Sequence, residues 1–258
     1  MFTKHSLLKS RVLAAAIHLG ASLVVALLAA ALVFEVWYPY PYREISGGRE
    51  LFLLLVAVDV VMGPLLTLAV FDRRKSGKVL RRDLTVIGLL QMAALAYGLW
   101  TMMLARPVHL VFELDRFRVV HAVDVPTESL GQAPAEFRRL PLAGPTLLSV
   151  REFKDSKESF DATMAAVQGL ALSAQPQLWQ NYQKAQAQVI RVSRPLAELK
   201  TRFPGRVTDI DAALKSDLPS HPAEVIGYVP MVGRQTFWTA FIDTKTAEVV
   251  AFVPIDSF

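Results

Sequence analysis

The sequence contains no cysteine. That excludes thiol nucleophiles, thiolate metal sites and disulfide staples, so any part that folds outside a membrane does so on packing alone, which a segment of about 150 residues can achieve. Other chemical signatures are missing as well. No serine sits in a nucleophile elbow and no glycine-rich loop opens a helix. His109, His121 and His221 are scattered, and His121 near Asp124 has no third ligand at a useful spacing. The acids Glu113 and Asp115 fall in a stretch whose alternation sends one face to solvent. The chain reads as a non-enzyme with no cofactor, no metal and no small-molecule substrate in evidence.

Charge is scarce in a patterned way. Hydrophobic residues make up 53% of the chain and concentrate before residue 105. Three windows there, 12–34, 51–71 and 84–104, can each cross ~30 Å of hydrocarbon, which takes about 20 residues. Lys4, Lys9 and Arg11 ahead of the first window imitate the n-region of a cleaved signal peptide, but the apolar run outlasts a signal core of about 7–15 residues. The expectation is therefore a transmembrane three-helix bundle over 1–105, followed by an extracytoplasmic α+β domain with an antiparallel sheet over 106–258.

Orientation follows from the Lys/Arg distribution. The loop 72–83 carries Arg73, Arg74, Lys75, Lys78, Arg81 and Arg82, whereas the loop 35–50 has only Arg43 and Arg49, offset by glutamates. The N-terminus and the basic loop are expected in the cytoplasm, and everything after residue 104 outside; in a bacterium that is the periplasm. The net charge of +5 is partly this asymmetry. Anionic lipid headgroups, not nucleic acid, suit the basic loop.

Within the second window Asp59 interrupts an apolar run about 12 Å below the helix end, counted at ~1.5 Å per residue. A carboxylate near the bilayer centre costs roughly 2.5–3.5 kcal/mol on translocon scales and should face protein. Pro64 lacks an N–H, so the carbonyl of Val60 should lose its helical donor and the helix should kink beside Gly63. Depth counting brings Tyr97 to the level of Asp59, and His18 and Gln91 to that of Pro64. A layer of His18, Asp59, Gly63, Pro64, Gln91 and Tyr97 can bind the helices together, recognise a polar group on another membrane helix, or pass an ion. Three helices with one acid and no repeat make a poor transport path. Ala16/Gly20, Ala26/Ala30 and Ala94/Gly98 have the small-residue spacing of close helix contacts.

Beyond Arg106-Pro107 the pattern changes to alternation. Residues 107–125 read as a hairpin broken near Asp115-Arg116, and 146–153 as a third strand. Segments 156–174 and 176–190 carry helical periodicity, with Pro176 at a first turn. Shorter helices are expected from Pro195 and after Thr208, whose spacing to Asp211 suggests a capping box. The stretch 224–255 reads as three strands parted at Gly233 and at a turn over 243–246. Phe237, Trp238 and Phe241 read as core.

WYP at 37–39, DVVMGPLLTLAVF at 59–71, DL at 83–84 and QMAALAYGLWTMMLARPVHLVFELDRF at 91–117 together resemble the type IV pilin accessory proteins of the TfpX/TfpZ class. The resemblance is dense over 34–120 and general beyond. It implies a bacterial inner-membrane protein, needed for efficient assembly of a major pilin and acting as a pilin-specific chaperone or assembly modulator. The implied partner is that pilin, through both its membrane helix and its periplasmic head. The resemblance supplies no catalytic residues. A periplasmic sensor or scaffold subunit, and a membrane enzyme with an unrecognised site, are the alternatives from other classes.

Overall fold

The computed structural model describes residues 4–215 and 223–258, and the chain divides into two compact units. His221 lies outside the described residues.

The first unit comprises Met1–Tyr40 and Gly48–Leu104. Helix α1 (Lys4–Ala31) runs on into a π-helical turn at Leu32–Trp37. After α2 (Tyr42–Ile45), which belongs to the other unit, come α3 (Gly48–Ala57), a π-helical segment at Val58–Met62 and α4 (Gly63–Val70), then α5 (Gly77–Leu104). Three spans result, Leu8–Trp37, Gly48–Val70 and Gly77–Leu104, each long and apolar enough to cross a membrane. Their large apolar side chains mostly point outward, as with Leu27 at 70% and Leu54 at 69% exposure. A surface of that kind suits acyl chains and not water. The interior is thin and aromatic: Val33, Tyr38, Phe52, Leu95 and Met102 cluster, with the Phe34 and Phe52 rings edge-on at 4.9 Å.

Arg11 on α1 reaches Asp72 just past α4 at 3.1 Å, and Arg74 clasps the same carboxylate at 2.7 Å. Hydrogen bonds from Arg74, then from Arg11, hold the Asp72 carboxyl well below the usual carboxylate range.

The second unit joins Pro41–Gly47 to Ala105–Phe258. Its eight-stranded sheet contains β1 (Pro107–Glu113), β2 (Arg116–His121), β3 (Thr146–Val150), β4 (Trp179–Asn181), β5 (Arg194–Pro195), β6 (Ile226–Val232), β7 (Phe237–Asp243) and β8 (Val249–Val253). The order is β4-β3-β1-β2-β6-β7-β8, with β5 on β6. Pairing is antiparallel except for β1 with β3 and β2 with β6. The expected hairpin and the three C-terminal strands are present, and the turn after β7 is an Asx turn in which Asp243 Oδ1 accepts from the N–H groups of Lys245 and Thr246. On one face Ile45, Phe112, Phe117, Met231, Trp238 and Ile242 form the core. On the other, α8 (Leu196–Arg202) and α9 (Val207–Leu214) bury Leu199, Ile210 and Leu214 against Tyr228, Phe241 and Val253.

Several local expectations fail for visible reasons. The helix expected over 156–174 is α6 (Ser156–Val167), capped by Asp155 and ended before Gly169, whose φ of +103 no helix accommodates. The stretch 176–190 is not one helix. It holds a 3₁₀ turn, β4, a second 3₁₀ turn and the start of α7 (Gln186–Val192). Trp179 is the cause: its ring is 1% exposed in the core and its Nε1 donates to the Ser173 carbonyl at 2.7 Å, so burial overrides helical periodicity. No side chain caps α9, which begins before Thr208, so the capping box is absent. Glu113 does not face solvent; it is buried, accepting from Arg118 Nε at 2.6 Å and from the Ser173 N–H at 2.9 Å. Of the three expected core aromatics, Trp238 and Phe241 are buried and Phe237 is half-exposed against Phe258.

Candidate functional site

The site builds outward from Pro64. The backbone here widens into the π segment Val58–Met62, where carbonyls pair with the N–H five residues on. In that register the carbonyl left without a donor by proline is that of Asp59, not of Val60 as an α-helical count requires. Gln91 on α5 fills the gap, its Nε2 donating to the Asp59 carbonyl at 3.0 Å. Gly63 makes the approach possible, since a Cβ there would collide with Gln91 Nε2. Gly63, Pro64 and Gln91 are thus one device that closes a broken backbone hydrogen bond.

The Asp59 side chain takes no part in that closure. It is 8% exposed, and its Oδ1 has no hydrogen-bond partner among the described residues. Asp59 borders two hollows. One, of about 150 Å³, is lined also by His18, Ser22 and Gln91. The other is an apolar groove of about 320 Å³ between α3 and α5, where Asp59 meets Leu54, Val58, Ala94, Tyr97 and Thr101. Tyr97 lies 68% exposed on its edge, tilted on Trp100 at 6.0 Å.

His18 sits at the same level but bonds elsewhere, its Nδ1 lying 2.5 Å from Thr67 Oγ1 on α4. The six residues therefore divide into a backbone repair, a His18–Thr67 tie and an Asp59–Tyr97 groove. Thr67 and Ser22, both buried, escape sequence reasoning although each lies one turn along a helix from a named residue. The small-residue pairs also divide. A Cβ on Gly98 would collide with Leu55 Cδ1, so α3 and α5 touch there, while nothing lies within 4 Å of the position at Gly20.

In the second unit, His121 and Asp124 do meet, Nδ1 to Oδ2 at 3.1 Å, beside a cavity of about 270 Å³ lined also by Arg118 and Arg234. His121 Nε2 is buried without a partner among the described residues. His109 is held by Thr146 Oγ1 at 2.6 Å and packed edge-on to Trp179 at 4.6 Å, and burial pushes its pKa down to about 3. Among the described residues no group of His, Asp and Glu is arranged to hold a metal ion.

Comparison with known proteins gives this arrangement a context. A family model described as the fimbrial assembly protein FimB matches residues 6–47. The fimbrial assembly protein of serogroup I from Dichelobacter nodosus is 37% identical over 245 residues, covering 94% of both chains. The chain belongs to the fimbrial assembly protein family. The serogroup E1 member from the same organism is 35% identical over 244 residues, again covering 94% of each, and the serogroup C1 and C2 member is 44% identical over 117 residues, 89% of its own length and 45% of this chain. Family membership supports a role in fimbrial assembly. No solved structure matches the fold of this fimbrial assembly family member.

Proposed function

We propose that this chain is an inner-membrane component of type IV pilus assembly that binds the pilin subunit before its incorporation. The N-terminus lies in the cytoplasm and the α+β unit in the periplasm. The observation that carries the proposal is the join of two facts: family membership across nearly the whole chain, and an apolar groove lined in part by Asp59, whose Oδ1 has no hydrogen-bond partner among the described residues. A pilin awaiting assembly is an apolar helix bearing a globular head, so its binder needs a membrane face and an exported domain. The resemblance of residues 34–120 to the TfpX/TfpZ accessory proteins supports the finer reading of a pilin-specific chaperone. Photo-crosslinkers at positions 59 to 98 test the membrane half; the expected adduct is with the pilin helix, and adducts from the soluble unit alone count against it.

The action proposed is binding without chemistry. The His121–Asp124 pair is the feature that favours an enzyme, because an oriented imidazole beside a cavity is a usable base. His121→Asn tests this directly: on the binding reading piliation persists at normal protein levels, and its abolition points to catalysis.

A further inference from the structure

The fate of Asp59 Oδ1 carries an inference that rests on the reading just given and specifies what the groove selects. A buried carboxylate oxygen without a partner is costly anywhere, and in hydrocarbon no water is at hand to relieve it. Within the bundle Gln91 Nε2 already serves the Asp59 carbonyl and His18 Nδ1 already lies against Thr67 Oγ1, and among the described residues no side chain bonds to Oδ1. Acyl chains can fill the groove but carry no donor, so lipid leaves the carboxylate unsatisfied. The groove beside it is lined by Leu54, Val58 and Ala94 and rimmed by Tyr97, a surface on which an apolar helix can lie. The Asp χ2 torsion is soft, so the carboxylate can turn toward a ligand in the groove without moving the helix.

We infer that Asp59 is a recognition residue for a hydrogen-bond donor, an ammonium or a neutral N–H or O–H group, carried at mid-membrane depth by the pilin helix seated in the groove between α3 and α5. The recognition is complementary in both respects: apolar length meets apolar groove, and a single donor meets the orphaned acceptor. Selectivity follows, because a purely apolar helix would leave Oδ1 unpaired while a correctly placed donor pairs it.

The test uses the full chain in membranes, co-expressed with its pilin, with a photo-crosslinker at Thr101 and affinity capture of the complex. The wild-type chain is expected to crosslink to the pilin helix. Asp59→Leu is expected to reduce pilin recovery roughly tenfold, the effect of one interaction of about 1.4 kcal/mol. Asp59→Asn separates the donor types: it retains capture of a neutral donor and loses an ammonium. Ala94→Leu, which narrows the groove without touching the acid, is expected to weaken capture as well, and covers the case in which Asp59→Leu fails to accumulate. Full pilin recovery with Asp59→Leu overturns the donor inference while leaving pilin binding intact, as does a crosslink only to lipid or to a second copy of this chain. Absence of pilin from the wild-type capture overturns the proposed function itself.

Discussion

Pro64 decides the chemistry at the centre of the bundle by what it lacks. Its missing N–H strands one carbonyl, and the π register selects Asp59 as the residue stranded, so that Gln91 becomes the substitute donor. A double-mutant cycle follows from that logic. Gln91→Leu should destabilise the bundle by roughly 0.5–1.5 kcal/mol, the range of interhelical hydrogen bonds in membranes. In a Pro64→Ala background, where the main chain regains its donor, the same substitution should cost much less. Reversible unfolding in mixed micelles measures the coupling, and strict additivity would show that Gln91 and Pro64 do not share the carbonyl. His109 allows a second residue-scale prediction. Folded His109 stays neutral down to about pH 3, whereas the unfolded side chain takes up a proton near 6.5. The unfolded state therefore binds more protons between those values, and stability contributed by the neutral ring is intact above about 6.5 and declines as pH falls, by at most about 1.4 kcal/mol per unit. His109→Gln should flatten the slope of thermal stability between pH 6.5 and 5; an unchanged slope would assign it to other groups.

At the scale of elements, the most consequential segment is a short one. Pro41–Gly47 connects two apolar helices, yet α2 folds with the sheet, where Ile45 is fully buried among Phe112, Phe117 and Met231. Gly233 makes the space, since a Cβ there would meet Ile45 Cγ2 at 2.8 Å. Ile45→Ala should cost about 2–5 kcal/mol, the range for emptying a packed aliphatic site. The loss should register as faster proteolysis of the second unit, and unaltered protease resistance would mean that the segment is not part of that core. Nothing in the sequence of 41–47 marks this docking, because composition cannot say which distant hydrophobic surface a short loop covers. The parallel pairs β1/β3 and β2/β6 were equally invisible, being set by long-range register. Elements with strong local signals were legible: three apolar spans, the hairpin around Asp115 and the strands on either side of Gly233. The polar layer was legible as residues at one depth and illegible as bonds, since depth counting aligns His18 with Pro64 but cannot reveal Thr67 as its partner.

For the whole molecule the proposed function depends on sidedness, and the sequence that rules out disulfides also supplies the means to test it. A chain without cysteine accepts single reporters on a silent background. Lys78→Cys places a thiol on the exposed first turn of α5, and Gln235→Cys places one at the exposed turn between β6 and β7. On the proposed orientation, drawn from the positive-inside asymmetry, the first lies in the cytoplasm and the second outside. A membrane-impermeant maleimide given to cells with a permeabilised outer membrane should therefore label the thiol introduced by Gln235→Cys and spare the one introduced by Lys78→Cys until the inner membrane is lysed. The reverse pattern would put the α+β unit in the cytoplasm, away from any periplasmic pilin head, and the binding role would then have to be carried by the membrane spans alone. Labelling of both would indicate leaky cells, which a cytoplasmic marker protein in the same preparation detects. The expected pattern places both halves of the chain where an unassembled pilin presents its two halves, its helix in the bilayer and its head beyond it, and that coincidence is what a dedicated assembly factor requires.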